Sequence, residues 1–390
     1  MDLNPVITIL GRRLRLAVIG GGPGSFIGAM HRQAARLDDR YEIVAGVLSS
    51  NPDRARSAGK SIGLADDRVY INVIDLLDAE TARTDGADVI SIMTPNDSHF
   101  EYAMAALERG FDVICDKPMT NTAEDAEKLY EKVKSSGLIF CLTHSFTGYP
   151  MVRQAKAMVE DGQLGTIQLV QVEYVQGMKA REDDPAPSGE LPWRYDPLRG
   201  GPSLIMGDIG THAHNLVRFI TGLEVSEVAA EIGNIVPNRL VHDYGGVLLR
   251  FESGARGVLW VTQAAAGVEN CLRIRVSGTN GSLEWMQEIP QVLTFKPLDP
   301  PAQTRTPNGP GTLPLAARSS RIIKGHPEGL HEAFGNLYSD AAEVIAARRV
   351  GVKPDPLALH FPNAWDGLLG VRFVHRVIES SQADGHWIKC

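Results

Sequence analysis

From Leu14 to His144 short apolar runs alternate with amphipathic stretches, and this alternation constrains the fold more than any other feature of the chain. LRLAVIG leads into FIGAMHRQAARL and then YEIVAGVL, and the later runs ADVISIM, FDVICD and LIFCLTH are separated by HFEYAMAALERG and AEDAEKLYEKVKSSG. Strands that alternate with helical patterns need crossover connections, which a parallel sheet with helices on its faces provides. Two of the helical stretches close on a glycine, the residue that enters a left-handed cap without a Cβ penalty. The spacing therefore predicts a doubly wound α/β domain.

Its first strand runs into glycines and then into a helix: RLRLAVIGGGPGSFIG. That context lets backbone N–H groups and a helix N-terminus cradle a diphosphate. Gly20 and Gly22 fit the first two positions of GxGxxG. Gly28 arrives three residues late, as an insertion of Pro23-Gly24-Ser25 would cause. On this reading Gly20, Gly22, Ser25, Phe26 and Ile27 bind a dinucleotide; the alternative is a tight turn that binds nothing. About twenty residues further on, NAD-binding chains usually carry an acid for the ribose hydroxyls. Here the chain reads Ser49-Ser50-Asn51-Pro52, with Arg54 close by. Ser49, Ser50 and Arg54 suit the ribose of NAD or the 2′-phosphate of NADP, and the reading inclines to NAD.

After Tyr149 the grammar changes to alternating runs without regular intervening helices, including TIQLVQVEYVQG, GGVLLRFESGARGVLWVTQAA and CLRIRVSGTNGSLEWM. These read as antiparallel strands of an α+β domain. A length of 390 residues suits two domains, drawn here as 1–147 and 148–390. Residues 297–324, rich in Pro, Thr and Gly, read as a surface loop, and two amphipathic segments follow, roughly Glu328 to Arg348 and Asn363 to Ser381.

A formal charge of -8 without a Lys/Arg block argues against a nucleic-acid partner. Gly11-Arg12-Arg13 interrupts the N-terminal apolar stretch, so neither a signal peptide nor a membrane span is expected, which points to a cytoplasmic protein with no membrane partner. Cys115, Cys141, Cys271 and Cys390 form no CxxC pair and are expected as free, largely buried thiols.

RGGPSLIMGDIGTHAH, residues 199–214, carries the chemistry of the second half. On a helix, positions i and i+4 share a face, so Asp208 could polarise His212, and a neutral imidazole suits the removal of a hydroxyl proton. Taken singly, Asp208 reads equally as a helix cap, His212 as a structural histidine, and Lys117 as a solvated charge at a strand end. His212 and His214 form HxH, but no carboxylate or cysteine cluster accompanies them, so no metal is expected.

VISIMTPNDSH, VICDKPMT and RGGPSLIMGDIGTH together resemble the motifs of the glucose–fructose oxidoreductase and inositol dehydrogenase family (Gfo/Idh/MocA). The resemblance implies an N-terminal Rossmann domain and a C-terminal domain built on an open, mainly antiparallel sheet. GGGPGSFIGAMHR, WRYDP and GHPEGL look like a branch acting on inositols and sugars. Lys117, Asp208 and His212 match the family's catalytic positions, while Thr94, Pro95, Asn96 and His99 match the loop beside the nicotinamide. Asp116 and Lys117 fall at positions that contact the cofactor in the family's pattern; Asp116 stands where Glu is usual, one methylene shorter toward the ribose, and the family's lysine-proline bond is typically cis.

The implied activity is an NAD(P)-dependent dehydrogenase that converts a secondary hydroxyl of an inositol, sugar or sugar derivative to a ketone, with His212 as base. Trp193, Arg194, Tyr149, His144 and His326 are candidates for the substrate side, because polyhydroxylated rings need stacking surfaces and hydrogen-bond donors. Each reads also as a core or loop-anchoring residue. The rival readings are an NAD-dependent glycosidase that oxidises C3 transiently and a sugar–dinucleotide sensor without catalysis. The open sheet implies a homodimer or homotetramer.

Overall fold

The computed structural model describes residues 4–182 and 191–390. Two compact units emerge: the first runs through Thr120 and takes in Glu124–Gly148 and Leu330–Leu368, and the second comprises Asn121–Ala123, Tyr149–Gly329 and Leu369–Cys390.

The first unit is built on β1 (Leu14–Gly20), β2 (Tyr41–Val47), β3 (Val69–Tyr70), β4 (Val89–Met93), β5 (Asp112–Cys115) and β6 (Phe140–Leu142), ordered β3-β2-β1-β4-β5-β6. Every pairing is parallel. VISIM, DVIC and FCL are buried at every position, as expected of strands covered on both faces. The chain winds outward from β1 to β3 and then crosses back to β4 on the other side of β1. This creates a switch point at the carboxyl ends of β1 and β4, where such sheets bind ligands.

Residues 330–368, assigned to the second domain from the sequence, belong instead to the first unit. The reason lies in the helix Leu330–Val350, which is buried from Ala333 through Ala347 on all sides and so is a core helix, where an amphipathic segment was expected. Tyr338 packs edge-on against the rings of His31 and Tyr41, with centroids 5.9 and 5.5 Å away. The Tyr41 hydroxyl donates to the Tyr338 carbonyl at 2.9 Å, and the Arg348 guanidinium donates to Asp112 at 2.7 Å.

The second unit carries β7 (Ile167–Val175), β8 (Val225–Gly233), β9 (Tyr244–Phe251), β10 (Arg256–Thr262), β11 (Cys271–Gly278), β12 (Gly281–Met286), β13 (Leu293–Pro297), β14 (Gln303–Arg305) and β15 (Ile388–Lys389). They form one nine-stranded sheet ordered β14-β13-β12-β11-β7-β10-β9-β8-β15. All pairs are antiparallel except β7 with β10. The period-2 pattern of CLRIRVSG buries Leu272, Ile274 and Val276 on one face, against which the helices Pro150–Glu160 and Thr211–Thr221 pack. The other face leaves Leu169, Leu248, Val258 and Trp260 exposed.

The segment 297–324 is more ordered than its composition suggests. It supplies the edge strand β14 and the short helix Pro314–Arg318, which buries Leu315 and Ala316. All four cysteines are free; Cys115 and Cys141 are buried, Cys271 is half-buried and Cys390 is exposed. Among the described residues no helix is long and apolar enough to cross a membrane.

Candidate active site

In the first unit the site begins with the turn between β1 and the helix Phe26–Leu37. Gly20 and Gly21 have φ of 85° and 67°, a region favouring glycine. A Cβ on Gly28 would stand 2.3 Å from the Gly21 Cα, and one on Gly22 would stand 2.2 Å from the Leu48 carbonyl oxygen. Gly28 thus provides the close helix-to-strand packing of a third fingerprint glycine in spite of its delayed position. Gly21, which the motif spacing did not single out, is equally constrained: a Cβ there would lie 2.4 Å from Met93 Sδ. Arg32 pins this turn by donating to the Gly21 carbonyl at 2.5 Å.

The Ser25 hydroxyl caps the helix, accepting the Gly28 N–H at 3.1 Å, so its oxygen serves the protein's own backbone. Phe26 is exposed and Ile27 half-buried. A glycine turn with a capped helix start, at the switch point of a parallel sheet, fits a dinucleotide diphosphate. Beyond β2, the Ser49 hydroxyl accepts the Asn51 N–H, and Asn51 caps the next helix through Asp53 and Arg54 N–H groups. Ser50 and Arg54 are exposed there.

At the ends of β4 and β5 two loops are clasped together by His99. Its ring is wholly buried, with Nδ1 2.8 Å from the Pro118 carbonyl and Nε2 3.0 Å from the Thr94 carbonyl. Expected as a cofactor contact, this imidazole is enclosed by protein and shapes the loops instead. Thr94 accepts the Ser98 hydroxyl at 2.7 Å; Thr94, Pro95 and Asn96 are half-buried. Asp116 also departs from expectation. Its Oδ1 accepts the Lys117 N–H at 2.9 Å and the Thr143 hydroxyl at 3.0 Å, so the shorter side chain folds back on its own turn. Lys117 follows directly, half-buried, and its bond to Pro118 is cis.

In the second unit Asp208 does not begin a helix. A continuous helical run from Leu204 to Thr221 contains a widened turn at Met206–Gly210, in which the Thr211 N–H bonds the Met206 carbonyl five residues back. Asp208 lies inside that turn and His212 in the first turn after it, which removes the helix-cap reading. Such wide turns concentrate at functional sites. Asp208 is half-buried, His212 is 9% exposed, and the His212 ring meets Tyr174 edge-on at 6.3 Å.

Gln263 Nε2 donates to Asp208 Oδ2 at 2.9 Å. Burial, reinforced by the negative charge of Asp208, pushes ionisation of the Tyr174 hydroxyl to higher pH. His214 is stacked flat on Phe373 at 4.2 Å. Among the described residues no group of three or more His, Cys, Asp or Glu is arranged to hold a metal ion.

The substrate-side candidates sit in different surroundings. Tyr149 is 2% exposed and packs on Trp285 at 5.4 Å, a core role, and His144 is likewise buried. Trp193 is half-buried with the exposed Arg194 guanidinium over its ring at 4.2 Å, and His326 lies in an exposed loop. Gln263 and Gln176 escaped notice in the sequence, because a glutamine after a strand looks like any polar residue until the pairing of β7 with β10 is known.

Residues 14–144 match the oxidoreductase family with an NAD-binding Rossmann fold, and residues 152–284 match the GFO/IDH/MocA C-terminal domain. The chain belongs to the Gfo/Idh/MocA family. It is an NAD-binding oxidoreductase with an α/β Rossmann domain and a mainly antiparallel C-terminal sheet, as its motifs implied. An oxidoreductase structure from Sinorhizobium meliloti is 44% identical, with a TM-score of 0.87 over 97% of this chain and 100% of that one. An inositol dehydrogenase homolog from Azotobacter vinelandii, solved with NADH and myo-inositol, is 33% identical, with a TM-score of 0.90 over 98% and 99% of the two chains. The levoglucosan dehydrogenase of Pseudarthrobacter phenanthrenivorans is 28% identical across 71% of this chain and 74% of its own.

Proposed function

We propose that this protein is a dehydrogenase that oxidises one secondary hydroxyl of an inositol, sugar or sugar derivative to a ketone. The observation that carries the reading is the Asp208–His212 helix, where a widened turn holds a carboxylate four residues before a nearly buried imidazole. Relatives named for inositol and levoglucosan support the substrate class.

When bound, NAD supplies the hydride acceptor at the nicotinamide C4. His212 takes the hydroxyl proton, and Asp208 orients the imidazole and balances its charge as it becomes imidazolium. Lys117, at the carboxyl end of β5, hydrogen-bonds the reacting oxygen and stabilises developing alkoxide. Gly20, Gly21, Gly22 and the first turn of Phe26–Leu37 bind the diphosphate, and Trp193 offers a stacking surface to the ring. Oligomerisation as a dimer or tetramer would cover Leu169, Leu248, Val258 and Trp260 on the outer face of the nine-stranded sheet.

His212→Ala tests the base. Turnover should fall about 100- to 10,000-fold, the range of general-base contributions, with NAD affinity from fluorescence titration unchanged. Equal loss of NAD affinity, or retained turnover, overturns the assignment.

A further inference from the structure

Behind Asp208 runs a chain of side-chain amides drawn from the ends of four neighbouring strands, β12, β11, β7 and β10. Gln287 follows β12, Asn270 precedes β11, Gln176 follows β7 and Gln263 follows β10. Asn270 Nδ2 donates to Gln287 Oε1 at 3.0 Å, and Gln176 Nε2 donates to Asn270 Oδ1 at 2.6 Å and to the Tyr174 hydroxyl at 3.3 Å. Gln263 Nε2 then donates both to Gln176 Oε1 and to Asp208 Oδ2, each at 2.9 Å.

The direction of this chain is fixed by its last member. An ionised carboxylate only accepts, so the Gln263 amide must present its NH2 to Asp208 and cannot flip. In this orientation Gln263, 1% exposed, leaves its Oε1 enclosed with no hydrogen-bond partner among the described residues, an arrangement that costs free energy unless another bond depends on it. Its backbone is held as well: the carbonyl accepts the Lys179 N–H at 2.9 Å and the N–H donates to the Asp243 carbonyl at 3.3 Å.

We infer that Gln263 is the positioning residue of Asp208, and that the amide chain across the strand ends fixes the carboxylate's orientation toward the His212 side of the helix. The inference rests on the proposed acid–base role of Asp208 and His212. Gln263 touches neither reacting atoms nor cofactor and acts through Asp208. Tyr174, from β7, feels the negative charge of Asp208, and its ring meets the His212 imidazole, from the following helix, edge-on at 6.3 Å. Tyr174 stays protonated and donates to Asn270 Oδ1 at 3.0 Å, so the chain carries no charge of its own.

The test follows the His212 imidazole by NMR titration of full-length, ligand-free protein, assigned by its loss in His212→Gln. In Gln263→Leu the carboxylate loses its donor and its place, and the His212 midpoint should fall by about one pH unit toward that of Asp208→Asn. In Gln263→Glu, which is nearly isosteric, a second carboxylate should raise the midpoint. The double variant Gln263→Leu/Asp208→Asn should match Asp208→Asn alone, because the two residues act as one unit.

A merely structural glutamine would lower the melting temperature of both backgrounds and leave the midpoint in place, which overturns the inference. Gln263→Glu keeps the question decidable if Gln263→Leu does not fold. If Asp208→Asn itself fails to move His212, the acid–base reading falls and takes this inference with it. If Asp208→Asn moves His212 and neither Gln263 variant does, only the role of Gln263 is lost.

Discussion

Two irregular turns carry the candidate chemistry, and they differ in how their geometry is specified. The turn from Gly20 to Gly28 is set by steric exclusion: Leu48, Met93 and the helix start approach so closely that a Cβ does not fit. The widened turn around Asp208 is set by orientation, through a carboxylate held by amides at four strand ends. Exclusion leaves a mark in the sequence, because every excluded position must be glycine. Orientation leaves almost none, because the residues that provide it are ordinary polar side chains brought together only by sheet pairing.

Breaking the first turn should give the larger effect. Gly28→Val drives a branched side chain into the Gly21 backbone, and overpacking of this kind typically costs up to about 3 kcal/mol of stability; borne wholly by the turn conformation that holds the diphosphate, that cost weakens NAD binding by about 100-fold. Isothermal titration checks the affinity, while the His212 NMR signal should keep its wild-type titration. A variant that shifts His212 as strongly as it weakens NAD binding would mean that the two turns are not separately specified.

The core beneath the first turn sharpens the contrast, since it is closed by a residue from far along the chain. His31 Nδ1 lies 2.7 Å from the Tyr338 hydroxyl, and Ser91 joins both. Burial lowers the His31 pKa to about 4, so the folded protein holds it neutral. The unfolded chain takes up a proton near 6.5. Stability is therefore full above about pH 6.5 and is lost as pH falls toward 4, by about 3 kcal/mol from this group. Urea unfolding of His31→Gln should show a flatter pH dependence over that window; an unchanged slope would refute the assignment to His31.

Ser25→Ala should have the smallest effect. Its hydroxyl caps the Gly28 N–H, so the change should cost about 1 kcal/mol in urea unfolding, with NAD affinity nearly unchanged. A loss of NAD affinity larger than the loss of stability would place this side chain on the cofactor after all.

The same distinction explains what could be read from the sequence. β1, β2, β4, β5 and β6 were legible because such strands spell apolar runs, whereas the two-residue, half-buried β3 was not; the glycine turn was legible because its sterics demand one residue type. The helix Leu330–Val350 was legible as a helix, but not as part of the first unit, since apolar residues on all sides name no partner. His99 matched a motif, yet its role as a clasp depends on two carbonyls nineteen and five residues away. Asp208 and His212 stood out by type and spacing. The widened turn that holds Asp208 did not, because it is a backbone adjustment that no residue there requires by itself.

Net oxidation of a ring hydroxyl would be seen as the formation of reduced nicotinamide. Purified protein would be incubated with NAD or NADP and a panel of inositols, pyranoses, anhydrosugars and glycosides, with substrate consumption followed in parallel. Stoichiometric reduced nicotinamide is expected with at least one inositol or sugar, and its loss in His212→Ala. Cleavage of a glycoside without net NADH, or tight NAD binding with no turnover across the panel, would contradict it.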